Sequence, residues 1–179
     1  MTEEIIITGF GGQGVLSMGK ILAYSGLMQG LEVSWMPSYG PEIRGGTANA
    51  MVILSDSPIS SPILQEFDTA IILSQQAMDK FENRVKRGGL LLYTPSTIVR
   101  KPVRDDIRIY EIPAIEEAAK MNATKVANMF LLGSYLKLKP ILKIENVLEG
   151  IKHSVSERNW KFLPLNEKAL KAGMDFIKD

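Results

Sequence analysis

Apolar residues fall into short, dense runs as far as Ile112, and into the wider spacing of amphipathic helices from Ala114 onward. The run Glu4-Ile-Ile-Ile-Thr8 is β-branched and ends on a glycine, the pattern of a central parallel strand covered on both faces. Val15, Leu16, Gly19, Leu22, Ala23, Gly26 and Leu27 follow at helical spacing, with Ser17, Lys20 and Gln29 off the stripe. An amphipathic helix therefore opens at Gly14 and stops at Gly30. Residues 31–36 predict a second strand that ends before Pro37 and completes a strand, helix, strand unit. Residues 48–54, 69–74, 90–93 and 107–112 predict four more strands. Residues 75–85, with Met78, Phe81, Glu82 and Val85 at helical intervals, predict a crossover helix. The helical ending divides into residues 115–121, 126–136, 144–155 and 167–177, broken near Asn122, at Pro140 and around residues 160–164. The pattern predicts an α/β, Rossmann-like fold, a mostly parallel sheet flanked by helices with a helical C-terminal part, in one domain over residues 1–179.

Composition narrows the chemistry. The 21 basic and 20 acidic residues give no electrostatic reason to expect nucleic acid or an anionic membrane as partner. With no cysteine and one histidine, His153, the 179 residues offer no disulfide, thiolate zinc site, all-cysteine iron–sulfur cluster or multi-histidine metal site. A redox carrier, if one is needed, belongs on another chain. The amino-terminal residues lack a basic leader pattern and no apolar run is long enough to span a bilayer, so a cytoplasmic location is expected.

The candidate chemistry lies in two loops. Gly9, Gly11 and Gly14 have the spacing of a dinucleotide fingerprint between a strand and a helix, where glycine lets the backbone approach a ligand and the helix start favours an anion. A nicotinamide site also requires an acidic residue at the end of the second strand, and here that strand runs into Trp35, Met36 and Pro37. The segment from Gly14 to Ile21 imitates a P-loop but has Ile21 where the magnesium-binding hydroxyl belongs, and it reads as helix. A plain tight turn is the competing reading of the glycines. Gln13, expected at the exposed tip with an amide that can donate and accept, points instead to a ligand or a facing polypeptide. The second loop, residues 37–46, carries Tyr39, Glu42, Arg44 and Gly45. Its guanidinium can hold an anion in two hydrogen bonds. Both loops leave the carboxyl ends of strands and are expected to share a crevice.

Three segments in this order and spacing, Gly9-Phe-Gly-Gly-Gln-Gly-Val15, Ser38-Tyr-Gly-Pro-Glu-Ile-Arg-Gly-Gly46 and Lys125-Val-Ala-Asn-Met-Phe-Leu-Leu-Gly133, make the chain resemble the gamma subunit or domain of 2-oxoacid:ferredoxin oxidoreductases. The resemblance runs over nearly the whole chain, including residues 166–173 as the terminal helix. It implies a multisubunit enzyme that decarboxylates a 2-oxoacid, forms an acyl-coenzyme A and passes two electrons to ferredoxin. Thiamine diphosphate, Mg2+ and the iron–sulfur clusters are implied on partner alpha, beta and ferredoxin-like delta subunits, with coenzyme A as co-substrate of the complex. This chain alone is expected to bind no cofactor, to supply no catalytic or metal-ligating residue and to be inactive. It would pack on the thiamine-binding subunits and help form the coenzyme A approach. Gly11, Gly12, Gln13, Gly14, Tyr39, Glu42, Arg44 and Gly45 are the candidate contacts, with Asn128 reaching the crevice from the far side or serving as a buried structural amide. The stand-alone short gamma chain and the wording of the Gly40 to Gly46 loop look more like 2-oxoglutarate members than pyruvate members, with branched-chain and indolepyruvate substrates open. An autonomous nucleotide-binding oxidoreductase and a pure assembly module are the alternatives. His153 reads as a surface residue, and residues 100–104 as a solvated basic loop.

Overall fold

A computed structural model of the chain describes residues 1–41 and 46–178. Six strands, β1 (Thr2–Phe10), β2 (Glu32–Tyr39), β3 (Thr47–Ser55), β4 (Phe67–Ile72), β5 (Val85–Tyr93) and β6 (Arg108–Glu111), form one sheet in the order β2-β3-β1-β4-β5-β6. Five strands point the same way, and β3 opposes them, pairing antiparallel with both β1 and β2. The sheet is therefore mostly parallel, as the pattern predicts. The β2–β3 hairpin is the departure. Helix α1 (Val15–Met28) carries the chain from β1 to β2, which lands not beside β1 but one strand further out, with β3 filling the gap.

Side-chain alternation divides the core into two layers. Ile5 and Ile7 of β1, Ala50 and Val52 of β3, Ile71 of β4 and Leu90 and Leu92 of β5 face one side. There they pack under α1, α3 (Ala114–Lys120), α4 (Ala127–Leu138), α5 (Ile144–Ser154) and α6 (Leu163–Phe176). Ile6, Ile53, Ala70, Ile72 and Leu91 face the other side, under α2 (Gln75–Phe81) and the segment carrying Leu64 and Phe67. Ile5, Ile6 and Ile7 are all fully buried, which is why β1 reads as an unbroken apolar run.

Several boundaries differ from the pattern for identifiable reasons. β2 continues through Pro37 to Tyr39 because it is an edge strand, where a missing N–H is tolerated. The helix expected over residues 75–85 closes at Phe81; a 3-10 turn, Glu82–Arg84, follows and Val85 already belongs to β5. Pro164 does not break the last helix but sits in its first turn, where proline is favoured. Gly30, at φ 80°, ends α1 as expected, with the Leu31 N–H donating to Gly26 O. Residues 100–104 form a largely exposed loop, as expected, but one that is pinned in place. The buried carboxylate of Glu82 accepts from the Val103 and Arg104 amides and from the Arg100 guanidinium, and Arg104 donates to the Glu82 and Val85 carbonyls, so the segment is strapped to the sheet.

The C-terminal helices depend on two glycines that meet backbone directly. A Cβ on Gly133 of α4 would overlap the Leu170 carbonyl, and one on Gly173 of α6 would overlap the Phe130 carbonyl, while Ser134 Oγ donates to Gly173 O at 3.0 Å. Gly133→Ala is expected to lower stability by roughly 1–3 kcal/mol, the cost of overpacking a close-packed crossing. Urea denaturation of the full chain measures this.

Candidate functional site

The carboxyl ends of β1 and β4 lie side by side, but their following helices leave on opposite faces, α1 on one and α2 on the other. This divergence is a topological switch point, and it opens a crevice between the two loops. The glycine segment lies at that point. Gly14, at φ 79°, caps α1 with no side-chain acceptor, so the first-turn N–H groups are not taken up by a capping side chain. Gly12 is also in the left-handed region, at φ 92°.

Gln13 is not at the exposed tip. Its Oε1 accepts from the Phe10 amide at 2.7 Å and its Nε2 donates to the Leu73 carbonyl at 2.9 Å. The amide thus joins the end of β1 to the end of β4 from beneath the loop. Gly9 makes room for it, since a Cβ there would run into Gln13 Oε1 and lie 2.9 Å from Leu73 Cβ. The predicted ability to donate and accept is used, but inward.

On one side of the glycine loop is a cleft of about 390 Å³ lined by Gly12, Gln13, Gly14, Ser17, Leu73, Thr94, Thr97, Ala114, Ile115, Thr124, Lys125, Ala127 and Asn128. Asn128, in the first turn of α4, closes one wall by packing against Gly14; a Cβ at Gly14 would lie 2.8 Å from that of Asn128. On the other side is a smaller cleft of about 280 Å³ lined by Gly11, Gly12, Gly14, Ser17, Tyr39 and others. The structure thus places Gly12 and Gly14 between two clefts, with Asn128 on one and Gly11 and Tyr39 on the other. Tyr39 is 70% exposed at the end of β2. The second loop does come back to the first, because the Gly11 N–H donates to Gly46 O at 3.1 Å, while the Gly40 N–H donates to Thr47 O at 2.6 Å and joins the end of β2 to the start of β3. Glu42, Arg44 and Gly45 lie outside the described residues.

Two decoys lose their basis in this geometry. The P-loop imitation lies within α1, so no loop exists there to cradle a phosphate, and Lys20 turns to the Ser154 carbonyl at 3.4 Å. In a dinucleotide-binding unit β2 adjoins β1 and delivers an acid beside the glycines. Here β3 intervenes and β2 ends on Ser38 and Tyr39.

Sequence reasoning missed Ser17, Thr94, Thr97 and Thr124. Thr94 was the discoverable one, standing directly after the run 90–93 at the carboxyl end of a parallel strand. Just before it, the Tyr93 hydroxyl donates to Glu111 Oε2 at 2.5 Å and braces β5 to β6. Burial, and then the adjacent carboxylate, hold that phenol well above its ordinary range. The hydrogen bonds from Tyr93 and then from Lys101 hold Glu111 below the usual carboxylate range. No group of three or more His, Cys, Asp or Glu residues among those described could hold a metal, and none of the described helices is long and apolar enough to cross a membrane.

Fold and site together define an α/β domain that presents a glycine-capped helix at the switch point of a mostly parallel sheet. The family model described as pyruvate ferredoxin/flavodoxin oxidoreductase matches residues 4–176, and the chain belongs to that family. It is 35% identical over 176 residues to the ketoisovalerate oxidoreductase subunit VorA of Methanothermobacter marburgensis, covering 98% of this chain and 36% of that protein. The chain thus spans about a third of the length of that relative. It is also 35% identical over 184 residues to the 2-oxoglutarate synthase subunit KorC of Methanothermobacter thermautotrophicus, covering 99% of this chain and 96% of that one. The crystal structure of a keto/oxoacid ferredoxin oxidoreductase gamma subunit from Geobacter sulfurreducens superposes with a TM-score of 0.81 at 29% identity, over 97% of this chain and 96% of that one.

If Gln13 holds the loop, both of its hydrogen bonds matter to folding. Gln13→Ala and Gln13→Glu are each expected to lower stability by roughly 1–3 kcal/mol in urea denaturation, the first by leaving two groups unpaired and the second by setting a carboxylate against the Leu73 carbonyl. Wild-type stability in both variants would mean that the amide is held there only incidentally.

Proposed function

We propose that this chain is the gamma subunit of a 2-oxoacid:ferredoxin oxidoreductase, acting as one domain over residues 1–179. It packs on thiamine-binding alpha and beta subunits in a complex that also holds a ferredoxin-like delta subunit and delivers electrons to ferredoxin, in the cytoplasm. The observation that carries this reading is the family match over residues 4–176 together with a glycine loop set at the switch point. The residues present do not suit the redox cofactors: with no cysteine and one histidine, the chain has no ligand set for an iron–sulfur cluster. The decarboxylation and electron transfer therefore belong to the partners, and the chain alone is inactive. Its own contribution is to bind and orient. The glycine loop and the 39–46 loop flank the coenzyme A approach, where α1 amides and the Arg44 guanidinium meet anionic groups. The preferred substrate is 2-oxoglutarate, supported by the wording of the Gly40 to Gly46 loop and by the likeness to KorC along nearly all of both chains.

The inward turn of Gln13 favours one second reading, in which the loop is only a docking surface for a partner subunit. Purification of the tagged chain from its native source separates the possibilities. It is expected to bring with it thiamine- and iron–sulfur-containing chains that reduce a viologen acceptor only with 2-oxoglutarate and coenzyme A. In that complex Arg44→Ala should raise the KM for coenzyme A about tenfold with assembly intact. Lost assembly would select the docking reading, and recovery of a stable chain without partners would refute both.

A further inference from the structure

Four rings lie along the α5 end of the helical face, and none of them lines either cleft beside the glycine loop. Tyr24 of α1 stacks on His153 near the end of α5, with ring centroids 6.0 Å apart. Trp160 and Phe162 follow on the 3-10 segment Glu157–Phe162 that joins α5 to α6. Trp160 is 41% exposed and Phe162 46%, whereas Leu163 and Leu165 just after them pack against the core. Two large aromatic side chains two residues apart thus forgo most of the burial that would stabilise the fold. Three of the rings also carry a lysine. Lys20 Nζ lies 5.8 Å from the Tyr24 centroid, Lys152 Nζ 5.3 Å from that of Trp160 and Lys161 Nζ 5.1 Å from that of Phe162.

The charges around the rings say what would cover them. Lys20, Lys152, Arg158 and Lys161 form no ion pair with a described carboxylate, whereas Lys86, Arg100, Lys101 and Arg104, elsewhere on the surface, each have one. Glu149 and Glu157 are the carboxylates nearest the cations of α5 and the 3-10 segment in sequence. The patch therefore holds four cations to two carboxylates, while the whole chain holds 21 to 20. Unpaired cations set among half-exposed aromatic rings are the composition of a protein-binding hot spot, in which rings enter an apolar recess and cations meet an acidic rim. A phosphate backbone or an anionic membrane calls instead for a uniformly positive surface, which the two glutamates interrupt.

We propose that this patch docks a protein whose facing surface is acidic around an apolar recess, with Trp160 and Phe162 entering the recess and Lys152, Arg158 and Lys161 pairing with the surrounding carboxylates. The inference rests on this surface alone and holds whether or not the assembly proposed above is correct. Because the cations stand at the surface, the contact is sensitive to salt.

Carbodiimide joins a lysine directly to a carboxylate that it touches, so the test is to treat a native-source extract at low salt, isolate the tagged full chain under denaturing conditions and map its cross-linked peptides. Lys171, paired with Glu167 within α6, is the internal control for the reagent. Cross-links from Lys152 or Lys161 to carboxylates of one other protein are expected, and they should fall about tenfold in ~0.5 M salt. The Trp160→Ala/Phe162→Ala variant keeps every lysine and should show the same loss at an unchanged melting temperature. Arg158→Glu, which leaves both rings and all lysines in place, should show it too. With Lys171 joined to Glu167, three results would overturn the proposal: no cross-link from Lys152 or Lys161 to another protein, cross-links only to carboxylates of this chain or a second copy of it, or undiminished cross-linking in a folded Arg158→Glu variant.

Discussion

The side-chain amide of Gln13 ties the carboxyl end of β1 to that of β4 by accepting from the Phe10 N–H and donating to the Leu73 carbonyl. The backbone ladder holds these two strands in register as far as the Leu73 N–H bond to Thr8 O at 2.9 Å, and Gln13 carries the connection one step further, where the chains diverge to opposite faces of the sheet. With that bridge in place, the glycine loop is held over the gap, and Gly14 can bring the start of α1 up to Asn128 of α4. The glycines are therefore not simply a flexible ligand loop: Gly9 makes space for the amide beneath, while Gly12 and Gly14 supply the left-handed turns above it.

The same logic of close approach governs the frame behind the site. Gly19 lets α1 sit on β3, where a Cβ would lie 2.7 Å from that of Ala50, and Gly133 and Gly173 let α4 and α6 touch backbone to backbone. At the opposite end of the sheet, Glu3 receives Thr69 Oγ1 at 2.5 Å and Lys139 Nζ at 3.0 Å, fixing the far end of α4 to β1 and β4. α4 is thus anchored at both ends, which sets the position of Asn128 and Thr124 on the cleft. Among the described residues, those lining the two clefts are mostly neutral, with Lys125 the one charged side chain.

Much of this was legible in the sequence because it is local. The unbroken run at residues 4–8, the glycine start and stop of α1 and the helical ending all express short-range rules, and the structure follows them to within a few residues. What was not legible is non-local. Nothing in the run at residues 48–54 says that it will insert antiparallel between β1 and β2, since side-chain alternation is the same in either direction. The orientation of Gln13 depends on Leu73, 60 residues away. The strap at residues 100–104 depends on Glu82, whose acidic side chain on an otherwise apolar helical stripe was the available clue. Thr94 announced only that a strand was ending.

The proposed binding role of the switch-point glycine loop requires that Gln13 hold it in place from beneath. Amide hydrogen exchange resolved to residues 9–17 and 94–97, compared between the isolated chain and the assembled complex with and without coenzyme A, tests it most directly. Slow exchange is expected at the Gln13-bridged Phe10 amide already in the isolated chain, with added protection of the α1 first turn on assembly or ligand binding. Fast exchange at Phe10 in the isolated chain, or protection that spares residues 11–17 under every condition, would contradict it.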